Sequence, residues 1–315
     1  MNKIDYVLSI PSDIGAQKFG TSLAMEALIV ADIERNAHIF KPYPFENLKT
    51  KSKLRGSFGK FEYGKYINDI IEINKSTAQS VETILSNNYT PLVVSGDHSN
   101  AIGIMAGIRE FLDKGKKLGV IWIDAHADIH TPYTTPSGNF HGMSLATNLG
   151  FDNIELGRND VSEEFLPLWN QLKHCGKSEI SPKINPEDVF FIGLRDFEIQ
   201  EYQLIRDYKL KHSSPYDIKA KGISQIAETV VEYFTDYDAV YVSFDVDVLD
   251  TTVSTGTGTP VYNGLMLEEA KSLITTLKKL QNIVLWEFTE INPLLDNQNS
   301  MAKATLKLID VLMKD

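Results

Sequence analysis

Short apolar runs alternate along this chain with amphipathic stretches. Residues 5–10, 92–95, 119–123, 189–193, 239–244 and 283–288 are rich in Val, Ile and aromatic side chains, and most are bounded by Gly, Pro or Asp. Such runs predict buried strands, and their continuous apolar character is what a parallel sheet covered on both faces requires. Residues 67–85 place Ile70, Ile71, Ile73, Ala78, Val81 and Ile84 largely on one side of a helix, and 224–234, 267–280 and 302–313 show the same spacing. The β-α-β-α order argues for a doubly wound α/β fold, in which right-handed crossovers set helices on both faces of the sheet. No linker rich in Pro, Gly or Ser divides the chain, so residues 1–315 are expected to form a single domain. The least regular stretch, 131–188, is too long for a plain connection and is expected to be either functional or disordered.

Three polar segments each follow a predicted strand directly. They are Gly96-Asp97-His98-Ser99, then Asp124-Ala125-His126-Ala127-Asp128-Ile129-His130, and Asp245-Val246-Asp247 with Asp250 close behind. In an open parallel sheet the carboxyl ends of the strands line the ligand crevice, so these segments are expected to converge. Extended backbone repeats every two residues, so Asp124, His126 and Asp128 are expected to point the same way, and Asp245 and Asp247 to share a side. Four aspartates buried together need cations or protons, and two divalent ions would balance them. An oxygen-rich set with a minority of imidazole suits Mn²⁺ better than a thiolate-seeking metal. Two such ions, roughly 3.5–4 Å apart, can share a bridging water and deprotonate it near neutral pH, which is the chemistry of a hydrolase. Taken singly each segment could be a turn or a helix cap, with Ser99 capping a helix that begins near Asn100. Asp97 and Asp250 are expected to orient an imidazole or a loop rather than to ligate.

Composition narrows the partners. The sequence has 315 residues, is 43% hydrophobic and 23% charged, and carries a formal charge of −11. That charge repels phosphate backbones and anionic lipid, so neither nucleic acid nor membrane is an expected partner, while a cationic ligand is tolerated. The only cysteine, Cys175, excludes an intramolecular disulfide framework and fits a reducing compartment. No signal peptide is recognisable and no apolar stretch approaches the roughly 20 residues needed to cross a bilayer, so a cytoplasmic location is expected.

The three segments, in this order, resemble the signatures of the ureohydrolases, the arginase and agmatinase superfamily, and the resemblance runs from the first strand to Glu290 and beyond. It implies a three-layer α/β/α fold with the metal site at the strand carboxyl ends, and two manganese ions per subunit. By position His98, Asp124, His126, Asp128, Asp245 and Asp247 resemble the metal ligands, several of them bridging. The run from Thr135 through Ser137, Asn139 and His141 to Met143 resembles the arginase loop rather than its agmatinase counterpart. The resemblance then implies that Ser137 and Asn139 bind the α-carboxylate of L-arginine, that His141 transfers a proton and that Glu290 receives the guanidinium, with Thr259 near the same end. Glu198 stands where an Asp usually recognises the α-amino group, and His130 stands where arginases commonly have an Asn that grips the α-carboxylate. Thr251 replaces the usual Pro after the last signature, residues 15–26 match the Gly-rich N-terminal segment only loosely, and the 150–188 connection is longer than usual.

The implied reaction is hydrolysis of L-arginine to L-ornithine and urea. A metal-bridging hydroxide would attack the guanidinium carbon, with Asp128 as proton acceptor and His141 protonating the departing amine. A homo-oligomer, trimer or hexamer, is implied as well. The alternatives are a ureohydrolase acting on agmatine, a guanidino acid or formiminoglutamate, and, from another class, a non-catalytic metal- or amino-acid-binding regulator on the same fold. A site built to hold an α-carboxylate discriminates against agmatine, which has none.

Overall fold

A computed structural model describes residues 3–50 and 59–314. Its centre is an eight-stranded sheet in the order β2-β1-β3-β8-β7-β4-β5-β6, with every pair parallel. The strands are β1 (Tyr6–Ile10), β2 (Phe45–Asn47), β3 (Pro91–Ser95), β4 (Leu118–Ile123), β5 (Val189–Ile192), β6 (Lys211–Ser213), β7 (Ala239–Asp245) and β8 (Ile283–Thr289). The apolar runs correspond to β1, β3, β4, β5, β7 and β8 to within a residue or two at each end. The edge strands β2 and β6 carry no such run. Their sequences, Phe-Glu-Asn and Lys-His-Ser, lie mostly at the surface and pair on one side only.

Both faces of the sheet are covered. In β4, Ile121 and Ile123 join one core while Leu118, Val120 and Trp122 join the other, and in β7, Val240, Val242 and Phe244 oppose Ala239 and Tyr241. The first core is closed by α1 (Ala24–Glu34), α7 (Pro215–Lys221), α8 (Ile223–Phe234), α9 (Leu267–Leu277) and α10 (Ser300–Met313). The second is closed by α2 (Ile67–Ser86), α3 (Ala101–Phe111), α4 (Ser144–Leu149) and α6 (Ile199–Asp207). This is a three-layer α/β/α arrangement. A third apolar cluster, which includes Cys175, ties α5 (Leu166–Lys173) to α2. No helix among the described residues is long and apolar enough to cross a membrane.

The chain leaves β3, passes over the places later taken by β8 and β7, and enters β4. Two neighbouring crossovers therefore run in opposite senses, which opens a crevice at the carboxyl ends of β3, β8, β7 and β4. The stretch 131–188, expected to be irregular, holds α4 and α5. Its first part is anchored over the crevice: Leu145 N–H and Ala146 N–H donate to Asp128 O at 3.0 and 3.2 Å, and His141 N–H donates to Gly15 O at 3.1 Å.

Gly96, just past β3, locks β1 to β3. Its N–H donates to Ile10 O at 2.9 Å, the next N–H, of Asp97, donates to Ser12 O at 2.9 Å, and an added Cβ would overlap the Ser12 carbonyl. Because the obstacle is backbone, relief requires the strand ends to separate. Gly96→Ala is expected to cost about 1–3 kcal/mol. A urea-unfolding midpoint unchanged from the unsubstituted protein would contradict this packing.

Candidate metal centre

Each predicted ligand lies at or shortly after the end of a strand, and the local backbone explains how their side chains meet. Strand β4 stops at Ile123, and Asp128 adopts a left-handed conformation with φ 54°. The two-residue extended repeat expected for Asp124, His126 and Asp128 therefore does not hold; a turn brings them together. His126 N–H donates to Asp124 Oδ1 at 2.7 Å within this turn. Asp245 ends β7, and its Oδ1 accepts the Asp247 N–H at 2.8 Å at the start of a 3-10 turn over Val246–Val248. Asp97, not Ser99, caps the turn at His98–Asn100, accepting Ser99 N–H at 2.8 Å and Gly15 N–H at 2.9 Å, and α3 begins at Ala101. Asp97 thus holds the N-terminal loop. Asp250 holds its own turn, accepting from Thr252 N–H at 2.9 Å and Gly264 N–H at 3.1 Å.

Two groups of ligand atoms result. His98 Nδ1 lies 3.1 Å from Asp124 Oδ2, 3.0 Å from Asp128 Oδ2 and 3.2 Å from Asp245 Oδ2. His126 Nδ1 lies 2.9 Å from Asp247 Oδ2 and 3.5 Å from Asp124 Oδ1. Asp124 belongs to both groups, one oxygen to each. One imidazole nitrogen cannot satisfy three carboxylates with a single proton, and His98 Nδ1 and Asp124 Oδ2 both lack a hydrogen-bond partner. Nitrogen and oxygen donors gathered at these spacings fit divalent cations.

The electrostatics agree. Burial alone would depress the His98 imidazole, but Asp124, Asp128 and Asp245 outweigh it and hold the ring well above its ordinary value. His126 is raised in the same way, chiefly by Asp247 against the opposing effect of burial. Burial and the Asp124 charge push Asp128 up to about 6, and burial with Asp247 and Asp124 pushes Asp245 well up. The carboxylates outnumber the imidazoles, so the site takes up protons when no other cation is present.

Behind His98 lies a buried polar relay. His98 Nε2 contacts Ser243 Oγ at 2.8 Å, Ser243 Oγ donates to Glu287 Oε2 at 2.8 Å, and Ser95 Oγ donates to Glu287 Oε1 at 2.6 Å. Tyr241 also donates its hydroxyl to Glu287, and Trp122 stacks on the His98 ring with centroids 4.0 Å apart. These side chains fix the imidazole plane so that Nδ1 faces the carboxylates. None was identified from sequence, although Trp122 and Ser243 each stand two residues before a ligand aspartate on a strand, where the pleat repeats.

Of the remaining predicted residues, His130, Ser137, His141, Glu198 and Thr259 line a pocket of about 280 Å³ together with His126, Asp128, Asp245 and Asp247, whereas Asn139 and Glu290 are not part of its wall. Thr259 Oγ1 donates to Asp247 Oδ2 at 3.0 Å. Ser137 Oγ accepts the Asn139 N–H at 3.3 Å, and the buried Asn139 Nδ2 has no partner. Gly138 between them has φ 73°, and a Cβ there would overlap the Glu62 carbonyl, so the loop needs glycine. Glu290 is buried, with Oε1 accepting the His98 N–H at 3.0 Å and lying 3.7 Å from His141 Nδ1; burial and Asp97 hold its carboxyl well above the usual range. Burial, then His126 and His98, lower His141 to about 4. Cys175 lies in the third apolar cluster, outside the pocket wall, and burial pushes its thiol up.

The chain matches the arginase family model over residues 5–314. It is 32% identical to an arginase of Bacillus subtilis strain 168 over 99% of this chain and 98% of that one, and 31% identical to one of Staphylococcus aureus strain MRSA252 over 96% and 94%. The solved arginase of Bacillus caldovelox superposes with a TM-score of 0.83 at 32% identity, covering 99% of each chain. A formimidoylglutamase of Bacillus subtilis, at 17% identity and a TM-score of 0.73, shares the fold.

Removing the relay hydroxyl by Ser243→Ala is expected to weaken divalent-cation affinity by about 10–100-fold. Equilibrium dialysis against graded Mn²⁺ measures this, and an unaltered binding curve would show that the relay does not orient His98.

Proposed function

The chain belongs to the arginase family, and on that premise we propose that it hydrolyses the guanidino group of L-arginine to L-ornithine and urea. The observation that carries this reading is the junction of two imidazole–carboxylate groups through Asp124, open to a pocket that also holds Ser137, His141 and Thr259. His98, Asp124, Asp128 and Asp245 would hold one divalent ion, and His126, Asp124, Asp245 and Asp247 its neighbour. Donors limited to oxygen and imidazole favour two Mn²⁺ per subunit. When bound, the ions supply Lewis acidity and make a water acidic enough to ionise near neutral pH.

The chain's own residues do the rest. Ser137, Asn139 and His130 orient the α-carboxylate, Glu198 the α-ammonium, and Glu290 with Thr259 receives the guanidinium end. Asp128 takes a proton from the attacking water as its oxygen bonds to the guanidinium carbon. The bond from that carbon to the side-chain nitrogen breaks, and His141 delivers a proton to the departing amine. The His141 ring is mostly uncharged at neutral pH, because its environment depresses it to about 4, so it relays a proton rather than storing one. The unpartnered Asn139 amide supports a substrate with an α-carboxylate over agmatine, since a buried donor left unpaired is costly.

We read the chain as one domain, because β8 from its C-terminal part pairs between β3 and β7. A homo-oligomer, trimer or hexamer, is what membership of the family suggests for this chain. The single buried cysteine supports a cytoplasmic location.

Urea release from L-arginine and from agmatine, measured in parallel with added Mn²⁺, tests the substrate. A clear preference for arginine is expected, whereas a preference for agmatine would overturn it, and arginine binding without urea release would favour a regulator. His141→Asn is expected to lower kcat by about 10²–10⁴. Full activity in that variant would remove His141 from the proton path.

A further inference from the structure

Arg195 stands beside the pocket and has no part in the chemistry above. Its main chain is tied to the turn after β4: the N–H groups of Arg195 and Asp196 both donate to Ala125 O, at 2.9 and 3.0 Å. Its side chain then spreads over four other carbonyls. Nε donates to Tyr262 O at 3.0 Å, Nη1 to Gly193 O at 3.0 Å, and Nη2 to both Asp247 O at 2.8 Å and Val261 O at 3.0 Å. We infer that Arg195 is a positioning residue: its fork fixes the Asp247 turn to the loop carrying Thr259. The fork thereby sets the Asp247 carboxylate for the metal ion that the proposed function, on which this step rests, requires there.

The loop needs such a tie. It is anchored at Gly256, whose carbonyl accepts the Asn292 N–H at 2.8 Å, and again at Gly264, whose N–H donates to Asp250 Oδ2 at 3.1 Å. Between those anchors Thr259 Oγ1 donates to Asp247 Oδ2 at 3.0 Å, and Arg195 grips Val261 and Tyr262. Asp247 is thus held from three sides. Ala125 N–H donates to Oδ1 at 3.2 Å, the Thr259 hydroxyl to Oδ2, and Arg195 to the carbonyl. Oδ2 also lies 2.9 Å from His126 Nδ1, so loosening the fork would move the hydroxyl that orients this ligand oxygen. Gly193, with φ 94°, lets the chain pass so close to Val248 that an added Cβ would overlap its side chain, and this brings Arg195 within reach of the Asp247 turn.

Geometry and charge explain why the residue is arginine. Its planar fork reaches four carbonyls on three segments, whereas a lysine offers a single nitrogen. Burial works against the half-buried guanidinium charge, and the charges of Asp247, Asp124, Asp250 and Asp196 favour it. Among the described residues it nevertheless donates to backbone carbonyls and to none of these carboxylates. A cation paired directly with the Asp247 carboxylate would occupy an oxygen that a metal ion needs. Seated on carbonyls, it offsets surplus negative charge and leaves the ligand oxygens free.

Arg195→Lys keeps the charge and removes the fork, while Arg195→Met removes both. Chymotrypsin, applied to the full chain without metal, can cut after Tyr262, which is 75% exposed. Cleavage there, followed by mass spectrometry, is expected to quicken about 10-fold or more in both variants, because the lost bonds are charge-assisted. Equilibrium dialysis against graded Mn²⁺ is expected to show one of two ions weakened by about 10–100-fold in both variants and the other kept. A residue that merely supports the fold would not divide the two ions in this way. Cleavage unchanged in both variants would overturn the fork. Faster cleavage with both affinities unchanged would leave Arg195 a loop tether and overturn its role at Asp247. Full affinity in Arg195→Lys with loss only in Arg195→Met would assign the effect to charge and overturn the fork equally. An unsubstituted chain that binds no pair of ions would strike instead at the proposed function, while the cleavage rate, which needs no metal, decides the fork.

Discussion

Four aspartates gathered around two imidazoles at the ends of parallel strands carry more negative charge than the imidazoles can neutralise. Asp124, Asp128, Asp245 and Asp247 lie within a few ångströms of His98 or His126, almost wholly removed from solvent. Such a group persists only if protons or metal ions supply the missing positive charge. Much of the neighbouring structure serves that requirement. The relay through Ser243 and Glu287 holds His98 in one orientation, the Thr259 hydroxyl supports Asp247, and the Glu290 carboxylate pins the backbone at His98.

The fold makes this concentration of charge possible. Continuous apolar strands buried on both faces give β3, β8, β7 and β4 a rigid common frame, and their reversal of connection opens a crevice at one edge. The ligands stand just beyond the strands, where backbone N–H groups are free to satisfy carboxylate oxygens before any metal does. Asp245 uses Oδ1 in this way and turns Oδ2 to His98, whereas Asp124 Oδ1 accepts a backbone N–H and also faces His126 while its Oδ2 faces His98. Pre-arranged ligands lose little freedom when an ion arrives, which favours affinity.

A second, smaller concentration of charge occupies the pocket wall. His130 Nε2 and Glu198 Oε2 approach within 2.7 Å, and Glu201 Oε2 lies 3.4 Å from the same ring nitrogen.

How much of this was legible depended on whether a signal was local. Apolar runs revealed the six inner strands, because burial on both faces demands them, and the three polar segments pointed to the imidazoles and carboxylates that meet at the sheet's carboxyl end, because each lies at the end of a strand. The edge strands at Phe45–Asn47 and Lys211–Ser213 were hidden, since a short exposed strand needs no apolar pattern. The extended geometry expected for Asp124 to Asp128 did not form, because Asp128 turns left-handed and gives its carbonyl to the start of α4. Ser95, Tyr241, Ser243 and Glu287 come from three strands far apart in the chain, so only pairing could show that they meet behind His98. The sequence by itself determined the layers and the placement of clustered aspartates and histidines at strand ends, both consequences of short-range pattern. The tertiary structure decided which oxygen faces which imidazole, that Asp124 serves both groups, and that His130, Glu198 and Glu201 converge, because those depend on turns and strand order that no local pattern encodes.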